Sequence, residues 1–215
     1  MTDIDAAKSA LAHLELDLNP VSVRAKSRDF FWYSPVLKAR MDHLSADFVV
    51  SPRSEAEVIE VLATCHAHKV PVTVRGSGTG NYGQAMPLAG GCVMHMKNMD
   101  KLREIAPGRV IAEPGIVLRD LDAQTREHSG QELRMFPSTH ATATLGGFIC
   151  GGSGGVGSVR WGALRDLGNI LRLRVVTMEA KPRVLEFRGD DLARVSHAYG
   201  TNGIITEIEM PLAPA

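Results

Sequence analysis

Two glycine clusters hold the residues whose types and spacing suit chemistry. The first is Arg75-Gly76-Ser77-Gly78-Thr79-Gly80-Asn81, directly after the apolar run Val70 to Val74. Successive glycines let consecutive backbone N–H groups point into one concavity, which holds an anion with little side-chain charge. A diphosphate suits such a nest, and Thr79 adds a donor. No Lys-Ser/Thr pair closes the loop, so it is not a Walker A sequence, and Asn81 stands where GxGxxG needs glycine. The second cluster lies within Phe136 to Asn169, where Gly146, Gly147, Gly151, Gly152, Gly154, Gly155 and Gly157 alternate with small hydroxyl residues. Glycine at this density costs backbone entropy, and close approach of backbone to a ligand is the usual reason to accept that cost. The apolar positions here follow no 3.6-residue period, which argues against an ordinary amphipathic helix. Both clusters together are expected to hold one large cofactor.

Other chemistries fit the residues less well. Gly152 to Gly157 spell a formal GxGxxG, and Glu179 lies at a plausible spacing for a ribose-binding acid. Yet Thr142 to Cys150 is not a clean buried strand and Ser158 to Gly162 not a clean helix start, so the dinucleotide reading lacks its context. Ser138 and His140 have the types of a nucleophile and a base, but no nucleophile elbow surrounds them. Carboxylates are sparse near both clusters, so a paired-carboxylate hydrolase is not indicated. Cys65-x-x-His68 is half of a metal site with no second half, and no metal is expected. No catalytic residue is assigned.

Composition narrows the class. Lys+Arg and Asp+Glu stand at 24 each in 215 residues, with 44% apolar and 22% charged residues. These are the proportions of a globular protein without the basic footprint of a nucleic-acid or anionic-membrane binder. Bound phosphate must then be met by backbone amides and one or two local arginines. The three cysteines are odd in number and form no CxxC pair, which suits a reducing cytoplasm. The charged, amphipathic N-terminus does not read as a signal peptide, and no apolar run reaches membrane-spanning length.

The elements that must position the clusters read as follows. Asp3 to Leu16 is predicted helical, with Ile4, Ala7, Leu11 and Leu14 on one stripe and Asn19-Pro20 ending it. Ser27 to Pro35 holds a large share of the aromatics, either as a lid packed on the main domain or as an arm contacting a partner or substrate. Asp47 to Val50 reads as a strand. Ser54 caps a helix whose buried stripe is Val58, Val61, Leu62 and Cys65. Strands follow at Val70–Val74, Cys92–Met96 and Arg109–Glu113, then a helix from Val117 to Ser129 closed by Gly130. Beyond the second cluster, Leu171 to Thr177 alternates as a half-buried strand. It returns through Lys181-Pro182-Arg183 to Val184–Phe187. A helix over Asp190–Tyr199, with Leu192, Val195 and Tyr199 inward, and an alternating strand from Ile204 to Met210 complete the chain.

The ordered motifs resemble the FAD-binding domain of the vanillyl-alcohol oxidase/p-cresol methylhydroxylase (PCMH-type) flavoprotein superfamily, from about Asp47 to Leu212. The carriers are Pro52-Arg53-Ser54-Glu55, Val72 to Gly80, Pro137-Ser138 with Ala143 to Gly147 and Ser153 to Gly155, Trp161-Gly162, and Gly200-Thr201-Asn202-Gly203-Ile204-Ile205-Thr206-Glu207. The resemblance implies an α+β, PCMH-type fold of two α/β subdomains with FAD between them. It implies an N-terminal helix and aromatic arm over 1–46, subdomains over 47–130 and 131–215, and no substrate (cap) domain. It assigns the diphosphate to Gly76 through Gly80, flanked by Arg75 and Asn81. It assigns the flavin ring and ribityl chain to Pro137, Ser138, Thr139, Thr142, Thr144, Gly146, Gly147, Ser153, Gly154 and Trp161. The adenine portion falls to the backbone of Ile204 and Ile205. The branch most resembled oxidises 2-hydroxy acids such as D-lactate or glycolate, so hydride transfer to flavin N5 from a small 2-hydroxy acid or alcohol is implied. The alternatives are an FAD-binding module that needs a partner chain and a transferase similar to alkyl-dihydroxyacetone-phosphate synthase.

Departures from the pattern sharpen these expectations. The diphosphate loop holds no histidine, Cys150 lies beyond the Gly-Gly pair, and His140 stands near the place of the cysteine used by some members, so FAD is expected to be non-covalent. Glu179-Ala180 replaces the usual Asp-Gly turn. The chain ends at Leu212-Ala-Pro-Ala, where the family continues into a cap domain. The expectation is a fragment, a chain whose cap comes from another polypeptide, or a module without chemistry of its own.

Overall fold

The computed structural model describes residues 2–215. Short elements lead the chain: α1 (Ile4–Ala10), β1 (Leu16–Asp17), α2 (Pro20–Lys26), a 3₁₀ turn at Phe31–Tyr33, and α3 (Pro35–Met41). The predicted helix over Asp3–Leu16 is therefore shorter. Asp3 caps α1, Leu11 closes it, and Leu16 pairs instead with Val50. Asn19-Pro20 starts a helix rather than ending one. Asn19 Oδ1 accepts the amides of Val21 and Ser22, and Pro20 takes the first position, where a missing N–H costs nothing.

The first sheet has the order β1-β2-β4-β3, built from β2 (Phe48–Val50), β3 (Val72–Arg75) and β4 (Cys92–His95), these three parallel. The helix α4 (Glu55–Ala67) crosses between β2 and β3. It starts where the sequence places it. Ser54 Oγ accepts the Glu57 amide at 3.3 Å, and Glu57 reaches back to the Arg53 amide at 2.8 Å. Its stripe of Val58, Val61, Leu62 and Cys65 is buried against Phe48, Val50, Cys92 and Met94.

The second sheet is antiparallel, in the order β5-β6-β10-β8-β9. Its strands are β5 (Leu102–Ala106), β6 (Arg109–Ala112), β8 (Arg172–Val176), β9 (Val184–Phe187) and β10 (Ile204–Pro214), with β7 (Gln131–Leu133) pairing the end of β10. The helices α5 (Leu118–Ser129), α6 (Leu145–Gly151) and the single turn α7 (Ser158–Trp161) lie between β6 and β8 in the chain. Leu118, Leu121, Leu145, Phe148 and Ile149 share one core with Leu173, Val175, Ile208 and Met210. Gly130 closes α5 at φ 62°, as its position predicts.

The chain passes from the first sheet to the second between His95 and Leu102, because β10, at 11 residues, offers both its edges and draws the β5–β6 hairpin into the second sheet. Three expectations change here. Strand β8 is not half-buried: Leu173 and Val175 enter one core, Val176 enters the other, and Arg172 is buried among Glu186, Glu207 and Glu209. The predicted helix over Asp190–Tyr199 is a 3₁₀ segment, Gly189–Arg194, and Tyr199 leaves the core with φ at 51°. The second glycine cluster does contain helices. Leu145, Phe148 and Ile149 supply a buried face at i, i+3 and i+4 that suffices for two turns, and Gly146 lets that face lie flat on Pro114. Among the described residues no helix is long and apolar enough to cross a membrane.

Candidate functional site

A cleft of about 600 Å³ opens where the two glycine clusters face each other. Its first wall is the loop that leaves the carboxyl end of β3, from Arg75 to Asn81, joined by Met96 at the end of β4 and Pro114 after β6. Clefts beyond the carboxyl ends of parallel strands are where open α/β sheets take ligands. The opposite wall is Pro137 to Thr139, then Thr144, Gly146 and Gly147 at the start of α6, and Ser153. The third side comes from the turn Tyr199-Gly200 and from Gly203 and Ile205.

Most expected residues meet in this cleft: Arg75, Gly76, Ser77, Gly78, Thr79, Gly80, Asn81, Pro137, Ser138, Thr139, Thr144, Gly146, Gly147, Ser153 and Ile205. Thr142, Gly154, Trp161 and Ile204 do not line it. Thr142 is exposed and its hydroxyl donates to Thr139 O at 3.3 Å within a turn. Gly154 is exposed at the outer end of the loop after α6. The Trp161 ring lies between the guanidinium groups of Arg134 and Arg160, at 4.3 and 4.8 Å. Ile204 points into the first core, because strand alternation allows only Ile205 to face the cleft. Missed by sequence reasoning are Tyr82, Gln84, Met96, Pro114, Phe148, Cys150, Val156 and Tyr199. Gly200 and Gly203 were legible as a motif, and the ends of β4 and β6 as strand termini. Tyr82 and Gln84 carried no signal.

The cleft wall is built of backbone. Gly78 has φ at 70°, and the Arg75 guanidinium occupies the place of any side chain there. Gly200 has φ at 79° and packs its Cα face on Val74. Larger residues would both strain the chain and collide with Arg75 or Val74. Arg75 is 9% exposed and folds beneath its own loop, donating to Arg28 O and, at 3.3 Å, to Ser77 O. It is the one cation that lines the cleft among the described residues. Met96, Pro114, Phe148, Val156 and Ile205 give the remaining walls an apolar character. A glycine loop over a buried arginine, with apolar side chains on the facing walls, leaves an elongated space for a molecule with both anionic and apolar parts.

Titratable groups at the cleft are few. Burial pushes the Cys150 thiol up to about 11, so it stays protonated. His95, behind the loop, is held down at about 4 by burial and then by the charges of Arg75, Lys26 and Lys97. Ser138 and His140 form no hydrogen bond with each other among the described residues; the His140 ring packs on Phe136 at 4.5 Å instead.

The profile of the FAD binding domain family matches residues 46–186. The chain belongs to this family. The FAD binding domain seen here is 32% identical over 177 residues to the glycolate oxidase subunit GlcD of Bacillus subtilis, covering 78% of this chain and 37% of that protein. It is 31% identical over 176 residues to a D-lactate dehydrogenase of Archaeoglobus fulgidus, covering 77% and 38%. The chain thus spans well under half the length of these relatives. Among solved structures, it superposes on an alkyldihydroxyacetonephosphate synthase with a TM-score of 0.84 at 21% identity, over 100% of this chain and 42% of that one. It superposes on Physcomitrella patens BBE-like 1 with a TM-score of 0.78 at 15% identity, over 96% and 44%. At those identities the likeness concerns the fold alone.

Proposed function

We propose that this chain is the FAD-holding part of a flavin-dependent oxidoreductase that acts on a small 2-hydroxy acid or alcohol. The observation that carries this reading is the meeting of both glycine clusters across one cleft inside the matched family segment. Relatives named as glycolate oxidase and D-lactate dehydrogenase support the substrate class. The amides of Gly76 to Gly80 would meet the diphosphate, with Arg75 supplying the positive charge from below. Pro137 to Thr139, Thr144, Gly146, Gly147 and Ser153 would receive the flavin ring and its ribityl chain, and Ile205 and Gly203 the adenine end. The bound flavin supplies a hydride acceptor at N5. The chain's own task is to orient it and exclude water. Attachment is non-covalent in this reading: among the described residues no histidine lines the cleft, and the Cys150 thiol is held protonated. The free thiols of Cys65, Cys92 and Cys150 support a reducing, cytoplasmic setting.

A second reading has its own observation. No carboxylate, imidazole or lysine lines the cleft among the described residues. Apart from the phenols of Tyr82 and Tyr199, a proton acceptor for an alcohol would then come from polypeptide outside this chain, a cap domain or a partner subunit, and this chain alone would hold FAD without turnover. Adding FAD to purified protein tests both readings. Flavin absorbance that stays with the protein through gel filtration supports them, and a protein that cannot be loaded overturns them. Oxidation of 2-hydroxy acids by the loaded chain, with an artificial electron acceptor, then separates enzyme from module.

A further inference from the structure

We infer that Asp29, upstream of the matched family segment, is a positioning residue for the FAD diphosphate loop. Asp29 is 5% exposed and does not line the cleft. Its two carboxylate oxygens serve two different segments. Oδ1 accepts the Phe31 amide at 2.8 Å, at the entry to the 3₁₀ turn of the arm. Oδ2 accepts the Gly83 amide at 2.8 Å, just past the end of the glycine loop. The neighbouring residues anchor the same loop elsewhere. Phe30 N donates to Gly80 O at 2.8 Å, and the Arg28 carbonyl accepts from the Arg75 guanidinium. Residues 28–30 thus hold the loop at Arg75, where it starts, at Gly80, its last glycine, and at Gly83, just beyond it.

The arrangement demands a carboxylate. A loop with many glycines has many conformations to lose when it closes on a ligand. Three anchors remove that freedom beforehand, so less of the binding free energy is spent on ordering. Ordinary fastening of an arm needs one hydrogen bond to the arm, but Asp29 spends its second oxygen on the loop. Gly83, at φ 80°, presents its amide to that oxygen, and Gly80 passes so close that a β-carbon would lie 3.3 Å from it. Asparagine has the same shape but offers one oxygen, and its NH₂ would face either the Phe31 or the Gly83 amide, donor against donor.

This inference rests on the FAD reading, and the test separates the two. FAD dissociation constants are measured by quenching of flavin fluorescence for the unaltered protein, Asp29→Asn and Phe31→Leu, alongside the thermal midpoints of the FAD-free forms. Phe31→Leu loosens the same arm, through the buried ring under the Arg28 guanidinium, and removes no hydrogen bond to the loop. Asp29→Asn is expected to raise the dissociation constant at least tenfold, and Phe31→Leu to lower the midpoint while changing affinity less than twofold. If the unaltered protein takes up no FAD, the cofactor reading fails. If it binds FAD and Asp29→Asn binds within twofold of it, or Phe31→Leu weakens binding as much as Asp29→Asn, Asp29 is a structural fastening and the inference is overturned. Should Asp29→Asn not fold, hydrogen exchange on the unaltered, FAD-free protein decides. A Gly83 amide already protected before FAD is added supports the inference, and one that becomes protected only with FAD overturns it.

Discussion

Gly76 and Thr144 stand back to back where the two glycine clusters meet, and a β-carbon on Gly76 would fall on the Thr144 hydroxyl. The same hydroxyl accepts the Gly147 amide at 3.2 Å and caps α6. One residue of the first cluster therefore controls the helix start of the second. Gly76→Ala should push Thr144 off its cap, cost about 1–2 kcal/mol of stability, and lower the FAD retained after gel filtration. Thr144→Ala should cost about 1 kcal/mol. The double variant should be less destabilised than the sum, because removing the hydroxyl makes room for the methyl. Strict additivity in calorimetry would disprove the contact.

Glu55 joins the two sheets. Its carboxylate receives Arg174 Nε at 2.7 Å and Nη2 at 2.9 Å, and the Thr206 hydroxyl at 2.7 Å. The Arg174 bonds, opposed by partial burial, hold the Glu55 carboxyl below its usual range. A depressed carboxylate contributes stability above its unfolded pKa and loses it as pH falls through the folded one. Glu55→Gln should cost roughly 1 kcal/mol at pH 7 after allowance for partial exposure. That difference should shrink below pH 4.5, the ordinary value for this group. Urea midpoints at several pH values measure it, and a gap that is constant with pH refutes the assignment.

His95 sets a second pH dependence, at higher pH. Its imidazole titrates near 4 in the folded chain and near 6.5 when unfolded. Between those values the unfolded chain binds the extra proton, so stability falls as pH drops from 6.5 to about 4 and loses nothing further from this group below that. The loss is on the order of 3 kcal/mol. His95→Gln should flatten the stability profile in this window. An unchanged slope would place the titration elsewhere.

Cys150 faces the cleft with its thiol pushed up to about 11 by burial. The nucleophilic thiolate is then scarce at ordinary pH. Iodoacetamide at pH 8 should leave Cys150 unlabelled in native protein and label it after denaturation, as read by mass spectrometry. Bound FAD should be released intact by acid precipitation. Rapid native labelling, or flavin that stays with the precipitate, contradicts this.

The short-range features were legible because their causes lie within a few residues. Ser54 and Glu57 close a capping box three positions apart, and Gly130 ends a helix by its own φ. Glycine spacing alone suggested a phosphate nest at Gly76–Gly80, and the motif order suggested FAD. The second cluster misled because seven residues with one buried face are too short to show a period among glycines. Asn19 misled because the same residue type that breaks one helix caps the next.

The amino-acid sequence by itself determined the capped start of the helix at Glu55, the glycine that ends the helix at Ser129, which loops need glycine, and the family to which those loops belong, since each depends on neighbours in the chain. Tertiary structure decided what faces what. Only pairing along β10 brought β5 and β6 into the second sheet, and only the path of the arm carried Asp29 to Gly83, 54 positions away. The turn of Trp161 onto Arg134 and the choice of Ile205 over Ile204 at the cleft are of the same kind. Such choices follow from sheet register and packing between distant segments, which no local spacing encodes.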